Sequence, residues 1–227
     1  MASETERRSK APKTIAQQVY DRIRQDVLTG HLEPGHWIRE LDIADAIGVS
    51  RTPVREAVRR LAQDGLLDVA PNRGVRVAAV SATHVDEVYE VRELVEGLTA
   101  RRAAERAAPA DVAALRGLLD RIDRLMPGDT AGHIEADDAL HRGIAEIGSN
   151  AAAVEILERL NGKITRIKVL TSDTNPSPTT RTQHAAIVDA IASGDAPTAE
   201  RAMRAHIRTY RELVVTRAER LAQDEQA

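Results

Sequence analysis

The 227-residue sequence has no cysteine, no phenylalanine, one tryptophan and three tyrosines. The absence of cysteine excludes disulfide bonds and cysteine-ligated zinc, and it fits a reducing compartment. With so few aromatic side chains, the core must consist of Leu, Ile, Val and Ala, which suits packed helices better than a β-sandwich. No run of about 18 apolar residues occurs, so the sequence predicts no membrane-spanning helix.

The charges and the N-terminus add two weaker expectations. The net charge is −3, but basic residues slightly outnumber acidic ones up to residue 76 and acidic residues dominate after it. This distribution is typical of a protein whose first part alone meets phosphates. Residues 1–12 lack the apolar centre of a secretory signal. We expect them to form a disordered arm and the protein to be cytoplasmic.

The segment from Arg39 to Gly65, RELDIADAIGVSRTPVREAVRRLAQDG, predicts two helices joined by a tight turn. Gly48 allows the left-handed backbone that a sharp turn needs. Ser50 is a suitable N-cap for the second helix, with Pro53 in its first turn. This is the layout of a helix-turn-helix, in which the second helix lies in a DNA groove.

Two short strands are predicted after this segment, in LLDVA and GVRVAAV, around the turn at 71–74. A helix-turn-helix followed by a β-hairpin is a winged helix. Together with an amphipathic helix between Thr14 and Gly30, it predicts a DNA-binding domain over residues 13–80. Three polar side chains cluster at the outer N-terminal end of the second helix: Arg51, Thr52 and Arg55.

The remaining two-thirds of the chain, residues 83–222, predicts about six helices with short links, which is typical of an α-helical bundle. Thr83 and Asp86 suggest a capping box at its first helix. The fold class is therefore mainly α, a winged helix-turn-helix followed by an all-α bundle.

Four polar residues of the bundle could meet in its core. Asp137 and His141 are four residues apart and project from one helix face. His184 and His206 lie in the two last helices. Such ligands suit zinc, nickel, manganese or iron, but a single histidine on a helix is more often a packed or surface residue.

The N-terminal third, from about Ile15 to Val80, strongly resembles the GntR family of bacterial transcription regulators, above all in GVSRTPVREAVRRLAQDGL. The resemblance implies DNA contacts by Arg39, Arg51, Thr52 and Arg55, with Gly74 in the minor groove. Arg51 and Arg55 suit base reading, because arginine pairs with both acceptors of guanine. Arg39 and Ser50 suit phosphate contacts, and charge alone adds Arg73 and Arg76 of the hairpin.

The C-terminal part resembles the FCD-type ligand-binding domain of the FadR-type subfamily, nearer its VanR-like branch. The matching motifs are EVYEVRELVEG, DDALH, QHAAIVDAIASGD and AMRAHI. The resemblance implies a divalent metal, with zinc favoured, and four ligands: Asp137, His141, His184 and His206. Leu140 replaces the usual Phe of the family motif. Arg92 matches an arginine that faces the effector pocket; its alternative is an ion pair with Glu93 or Glu96.

These observations predict a metabolite-responsive regulator, with repression as the commoner outcome in the family. The partners expected are a palindromic double-stranded DNA operator, a small organic acid and a second copy of the chain in a homodimer. One alternative is a regulator that senses the metal itself. A metal-dependent enzyme fused to a DNA-binding domain is a weaker one, because no motif supplies a general base.

Overall fold

The computed structural model describes residues 13–28, 31–70, 73–78, 81–171 and 178–224. The chain divides into two compact units, residues 1–79 and 80–227. The expected arm at 1–12, the helix stop at Gly30 and the Pro71–Asn72 part of the hairpin turn lie outside the described residues. Among the described residues, no helix combines the length and apolar character needed to cross a membrane.

The first unit is a winged helix-turn-helix, as predicted. Its elements are α1 (Ile15–Leu28), β1 (Trp37–Ile38), α2 (Glu40–Ile47), α3 (Arg51–Gln63), β2 (Leu67–Ala70) and β3 (Gly74–Val77). The three helices bury Leu, Ile and Val side chains against one another and against the inner residues of the hairpin. Gly48 ends α2 at a φ of 75°, the left-handed conformation that the turn between the two helices requires.

Two local features of this unit differ from the sequence expectations. Within the described part of this unit, the sheet has three strands in the order β1-β3-β2, and β1, which pairs with β3, was not predicted. Ser50 holds the N-cap position of α3 with an extended backbone, but its side chain makes no capping hydrogen bond. Ser50 therefore occupies the predicted N-cap position, but its hydroxyl does not accept the hydrogen bond that was expected there.

The second unit is a bundle of six helices in the described part of the chain, as predicted. They are α4 (Ala82–Arg106), α5 (Pro109–Arg124), α6 (Thr130–Gly148), α7 (Ala151–Thr171), α8 (Pro178–Ala192) and α9 (Ala196–Asp224). The capping box expected at Thr83 and Asp86 is wrong. Ser81 caps α4 by accepting from the backbone N–H of His84, and the Asp86 carboxylate instead accepts two hydrogen bonds from Arg211.

The long helix α4 is the centre of this unit and packs on α6, α7, α8 and α9. The α4–α6 crossing is very close at Gly148, where an added Cβ would lie 2.7 Å from the backbone oxygen of Thr99. Only glycine permits this approach without displacing one helix. The crossing brings the middle of α6, which carries Asp137 and His141, against the buried face of α4.

Candidate functional site

The outer end of α3 in the first unit presents a basic face. The side chains of Arg51 and Arg55 are 59% and 53% exposed. Both lie near the carboxylate of Glu40 at the start of α2, at 3.8 Å from Arg51 and 3.3 Å from Arg55. Such exposed pairs are weak and exchange readily for phosphate or base partners. Sequence reasoning missed Glu40, because nothing in the spacing predicted that α2 would place it there.

The other residues predicted to contact DNA are also at the surface of the first unit. Arg39, Ser50 and Thr52 are exposed. Arg39 precedes α2 directly and Ser50 precedes α3. Both therefore stand at helix N-termini, where side chains and backbone N–H groups commonly contact phosphates.

The hairpin places a second basic group beside the only tryptophan. The guanidinium carbon of Arg73 lies 5.4 Å from the ring centre of Trp37, and that of Arg76 lies 5.7 Å from it. Gly74 has a φ of 101°, and a Cβ there would lie 3.1 Å from the backbone oxygen of Ile38. The turn therefore requires glycine, and it exposes Arg73 at the tip.

In the second unit, Asp137, His141, His184 and His206 come together. One ligand atom from each lies within 4.8 Å of all the others. The three histidines are buried. The Nε2 atom of His184 is 3.2 Å from both Asp137 Oδ1 and His206 Nε2, and His141 Nε2 is 3.7 Å from Asp137 Oδ1. We call these four residues the cluster.

The donor set of the cluster fits a divalent metal. Three imidazoles and one carboxylate are the ligands that zinc and related ions take in proteins. His141 Nε2 is buried and has no hydrogen-bond partner among the residues that the structure describes, which is costly for a polar atom unless something else occupies the space between the ligands. Burial, together with the neighbouring His184 and His141, lowers the pKa of His206. The ring is therefore neutral at pH 7, as a metal ligand must be.

A second layer of polar side chains orients the cluster. Glu96 of α4 contacts Nδ1 of His141, and Gln183 Oε1 lies 3.1 Å from Nδ1 of His206. Carboxylate or amide partners on the outer nitrogen are typical of metal-bound histidines, because they fix the ring and its tautomer. The sequence analysis did not select either residue. Glu96 was considered only as a partner for Arg92.

Lys168 of α7 is a further residue that sequence reasoning missed. Its buried ammonium group donates to Asp137 Oδ2 and, at 2.6 Å, to Asp138 Oδ1. Burial opposes ionisation of Asp137, but Lys168 and the histidines hold the pKa of its carboxyl well below the usual range. The signal in the sequence was a lysine among the apolar residues of the stretch ITRIKVL, which also contains Thr165 and Arg166.

Arg92 is buried and pairs with Glu96, which is the alternative that the sequence analysis left open. Burial alone would lower the pKa of Arg92, but the Glu96 carboxylate raises it. Burial alone would raise the pKa of Glu96, but Arg92 and His141 hold it well below its usual range. Arg92, Glu96 and His141 all line one cavity of about 430 Å³ between α4, α6 and α7. The rest of its lining includes Arg142, Asn161, several apolar side chains and three further carboxylates, those of Asp138, Glu146 and Glu158. The cavity is large enough for a small molecule.

Comparisons with known proteins agree with both halves of this description. Residues 15–77 match the family described as bacterial regulatory proteins, gntR family, and residues 87–209 match the FCD domain. The chain is 35% identical over 197 residues to an HTH-type transcriptional regulator in an unstable DNA locus of Streptomyces ambofaciens, covering 86% of this chain and 83% of that protein.

Two further similarities cover nearly the whole chain. It is 30% identical over 205 residues to the HTH-type transcriptional repressor RspR of Escherichia coli K12, covering 88% of this chain and 89% of RspR. The crystal structure of a GntR transcriptional regulator from Rhodococcus sp. RHA1 superposes with a TM-score of 0.74 at 25% identity, covering 88% of this chain and 97% of that one.

Proposed function

Because this chain belongs to the gntR family of bacterial regulatory proteins and carries an FCD domain, we propose that it is a homodimeric repressor controlled by a small organic acid. Membership of the family makes it a DNA-binding transcription regulator and not an enzyme. The finer proposal is that the acid binds at a divalent metal held by the cluster and lowers the affinity for a palindromic operator. Such a regulator works in the bacterial cytoplasm.

The proposal for the DNA side rests on the exposed basic end of α3. Arg51 and Arg55 enter the major groove and read guanine, and Thr52 contacts an adjacent base or phosphate. Arg39 and Ser50 hold the phosphate backbone, while Arg73 and Gly74 at the hairpin tip reach the minor groove. Two such units related by a two-fold axis match an inverted repeat.

The proposal for the effector side rests on one observation, the convergence of Asp137, His141, His184 and His206 beside a cavity. A bound metal would supply positive charge that attracts a carboxylate. Zinc is favoured by the donor set, and nickel, manganese or iron are compatible with it. The six helices of this unit support its placement in the VanR-like branch, which stays a prediction.

The lining of the cavity combines two arginines with four carboxylates, which suits a small acid that also carries hydrogen-bond donors such as hydroxyl groups. Arg92 gives its Nε donor to Glu96, and a guanidinium has five N–H donors in all. Its remaining donors are suited to a carboxylate that binds at the metal. Arg142 and Asn161 can bind polar groups at the other end of the ligand.

Metal content of the purified protein tests the assignment of the ligands. We expect His184→Ala and His206→Ala each to lower bound metal strongly, because each removes one nitrogen ligand. His133→Ala is the matched control, since His133 lies on α6 with His141 but outside the cluster. Unchanged metal content in both cluster variants would overturn the assignment.

Operator binding tests the regulatory proposal. An operator is first selected from random duplex DNA, and its affinity is then measured by fluorescence anisotropy with metal alone and with metal plus a panel of organic acids. Typical allosteric couplings of about 1–3 kcal/mol predict a 5- to 150-fold loss of affinity with the correct acid. Release of the operator by physiological metal alone would instead favour the metal-sensing alternative.

A further inference from the structure

Helix α4 carries a row of exposed apolar side chains on the face opposite the cluster. Val91, Leu94 and Leu98 are 44%, 56% and 41% exposed. They are spaced by three and four residues, so they lie on one side of the helix. On the other sides of α4, Arg92 and Glu96 are buried beside the cluster. Contiguous exposed apolar side chains of this kind mark interaction surfaces in proteins.

The row continues into charged residues at both ends with the same spacing. Glu87 precedes Val91 by four residues, and Arg101 follows Leu98 by three. The resulting positions, 87, 91, 94, 98 and 101, alternate by four and three as in the seam of a two-helix coiled coil. The side chains of Glu87 and Arg101 are 69% and 51% exposed. We call these five residues the α4 seam.

The charges of the α4 seam favour a second copy of the same helix as its partner, and they favour the antiparallel orientation of the two helices. Glu87 and Arg101 are each seven residues from Leu94, on opposite sides. Against an antiparallel copy of the same helix, with a two-fold axis near Leu94, each Glu87 lies beside the Arg101 of the partner subunit. A parallel copy would place Glu87 beside Glu87 and Arg101 beside Arg101, and like charges at an interface are unfavourable.

We propose that the α4 seam packs antiparallel on the α4 seam of a second copy of this chain, with Leu94 near the two-fold axis. This inference deepens the proposed homodimer and rests on it. The seam also has a regulatory meaning, because the same helix presents Glu96 and Arg92 to the cluster. A change at the cluster therefore acts on the opposite face of the very helix that joins the two subunits.

A single introduced cysteine tests the position of the axis, because the natural chain has no thiol. Under mild oxidation, Leu94→Cys is expected to form a disulfide-linked dimer in most of the protein within minutes. Ile156→Cys is the matched control, since Ile156 is 41% exposed on α7, outside the seam. Sedimentation of the unmodified protein establishes the oligomeric state independently.

The outcomes separate this inference from the proposed function. Rapid cross-linking of Leu94→Cys and slow cross-linking of Ile156→Cys support the seam. A dimer in sedimentation whose Leu94→Cys variant cross-links no faster than the control would overturn the seam and leave the homodimer intact. A monomer in sedimentation, with and without operator DNA, would overturn the proposed homodimer itself.

Charge exchange tests the antiparallel orientation. Glu87→Arg or Arg101→Glu alone creates like-charge contacts at both ends of the interface, and we expect the dimer dissociation constant to rise about tenfold. The double variant restores opposite charges and should return the constant close to its original value. Single variants that leave dimerisation unchanged would contradict the antiparallel arrangement, and thermal unfolding of each variant verifies that its fold is intact.

Discussion

The two units of this chain differ in the exposure of their functional charges, which are at the surface in one and buried in the other. In the winged helix, Arg51 and Arg55 are more than half exposed and share one acid, Glu40. In the bundle, Arg92, Glu96 and Lys168 are at most 3% exposed. Arg92 and Glu96 pair with each other, and Lys168 pairs with Asp137 and Asp138, whose side chains are only 21% and 15% exposed. The first arrangement leaves its charges available to a large polyanion, whereas the second encloses a small space.

This difference has a consequence for the effects of substitutions. Removing an exposed arginine costs little folding energy, because water replaces the lost partner. Removing one member of a buried ion pair leaves an uncompensated charge in a medium that solvates it poorly. The same chemical change should therefore affect binding in one unit and folding in the other.

The largest effect is expected for Lys168→Met in the metal-free protein. The variant leaves Asp137 and Asp138 without their shared cation, so unfolding free energy should fall by about 3–5 kcal/mol. Denaturant unfolding in the presence of a chelator measures it. Lys163→Met on the same helix is the control, and adding Asp137→Asn and Asp138→Asn to Lys168→Met should recover most of the loss. A fall in unfolding free energy of less than about 1 kcal/mol, as for an exposed ion pair, would contradict the contrast between buried and exposed charges.

Arg51→Ala should leave folding intact and weaken operator binding by about 1–3 kcal/mol, with relaxed preference at one base position. Anisotropy titrations against operators that differ at single positions measure both quantities. Arg59 lies further along the exposed face of α3. Arg59→Ala should weaken binding to all DNA sequences alike and reduce the salt dependence of binding by about one phosphate contact. Uniform weakening by Arg51→Ala would assign it to the backbone instead.

Acidification should destabilise the metal-free bundle through His206. Its folded pKa is lowered below 6.5, chiefly by burial and by His184. As the pH falls below 6.5, the unfolded chain takes up a proton that the folded chain does not, so stability decreases by up to about 1.4 kcal/mol per pH unit. Thermal unfolding between pH 7.5 and 5.5, about one unit either side of that value, measures the slope. His206→Gln should flatten it, and equal slopes in both proteins would contradict this origin.

The smallest effect is expected for Glu40→Gln in the winged helix. Folding stability should change by less than about 0.5 kcal/mol, because the pairs with Arg51 and Arg55 are exposed. Loss of the carboxylate removes repulsion toward phosphates and also frees the two arginines. Affinity for non-operator DNA should therefore rise about twofold, while the ratio of operator to non-operator affinity falls. An increased ratio would show that Glu40 does not orient the two arginines.

The sequence predicted most of the helical organisation because apolar spacing repeats over long stretches. It failed where local patterns are short or ambiguous. Strand β1 has two residues, too few for an alternating pattern, and it exists through pairing with β3. The Thr83–Asp86 spacing fits a cap, but Asp86 instead binds Arg211, 125 residues away. Local sequence cannot distinguish a cap from such a distant partner.

The residues of the candidate site also fall into those that the sequence predicted and those that only the structure revealed. The cluster residues could be selected by motif, and the fold brings them together. Glu96, Gln183 and Lys168 were not selected, because their roles arise from the packing of different helices around the cluster. A charged residue among the apolar residues of a helix, such as Lys168, was a usable signal. It indicates that an oppositely charged partner lies nearby, but it does not identify that partner.

The contact between Gly148 and Thr99 limits how the bundle can move. The two backbones touch at the end of α6, whereas Asp137 and His141 lie two to three turns away on the same helix. Since α6 cannot approach α4 any further at this point, a movement of its ligand end toward α4 has to occur by tilting of α6 and not by an inward shift of the whole helix. The crossing thus acts as a steric stop, which limits the directions in which α6 can move relative to α4.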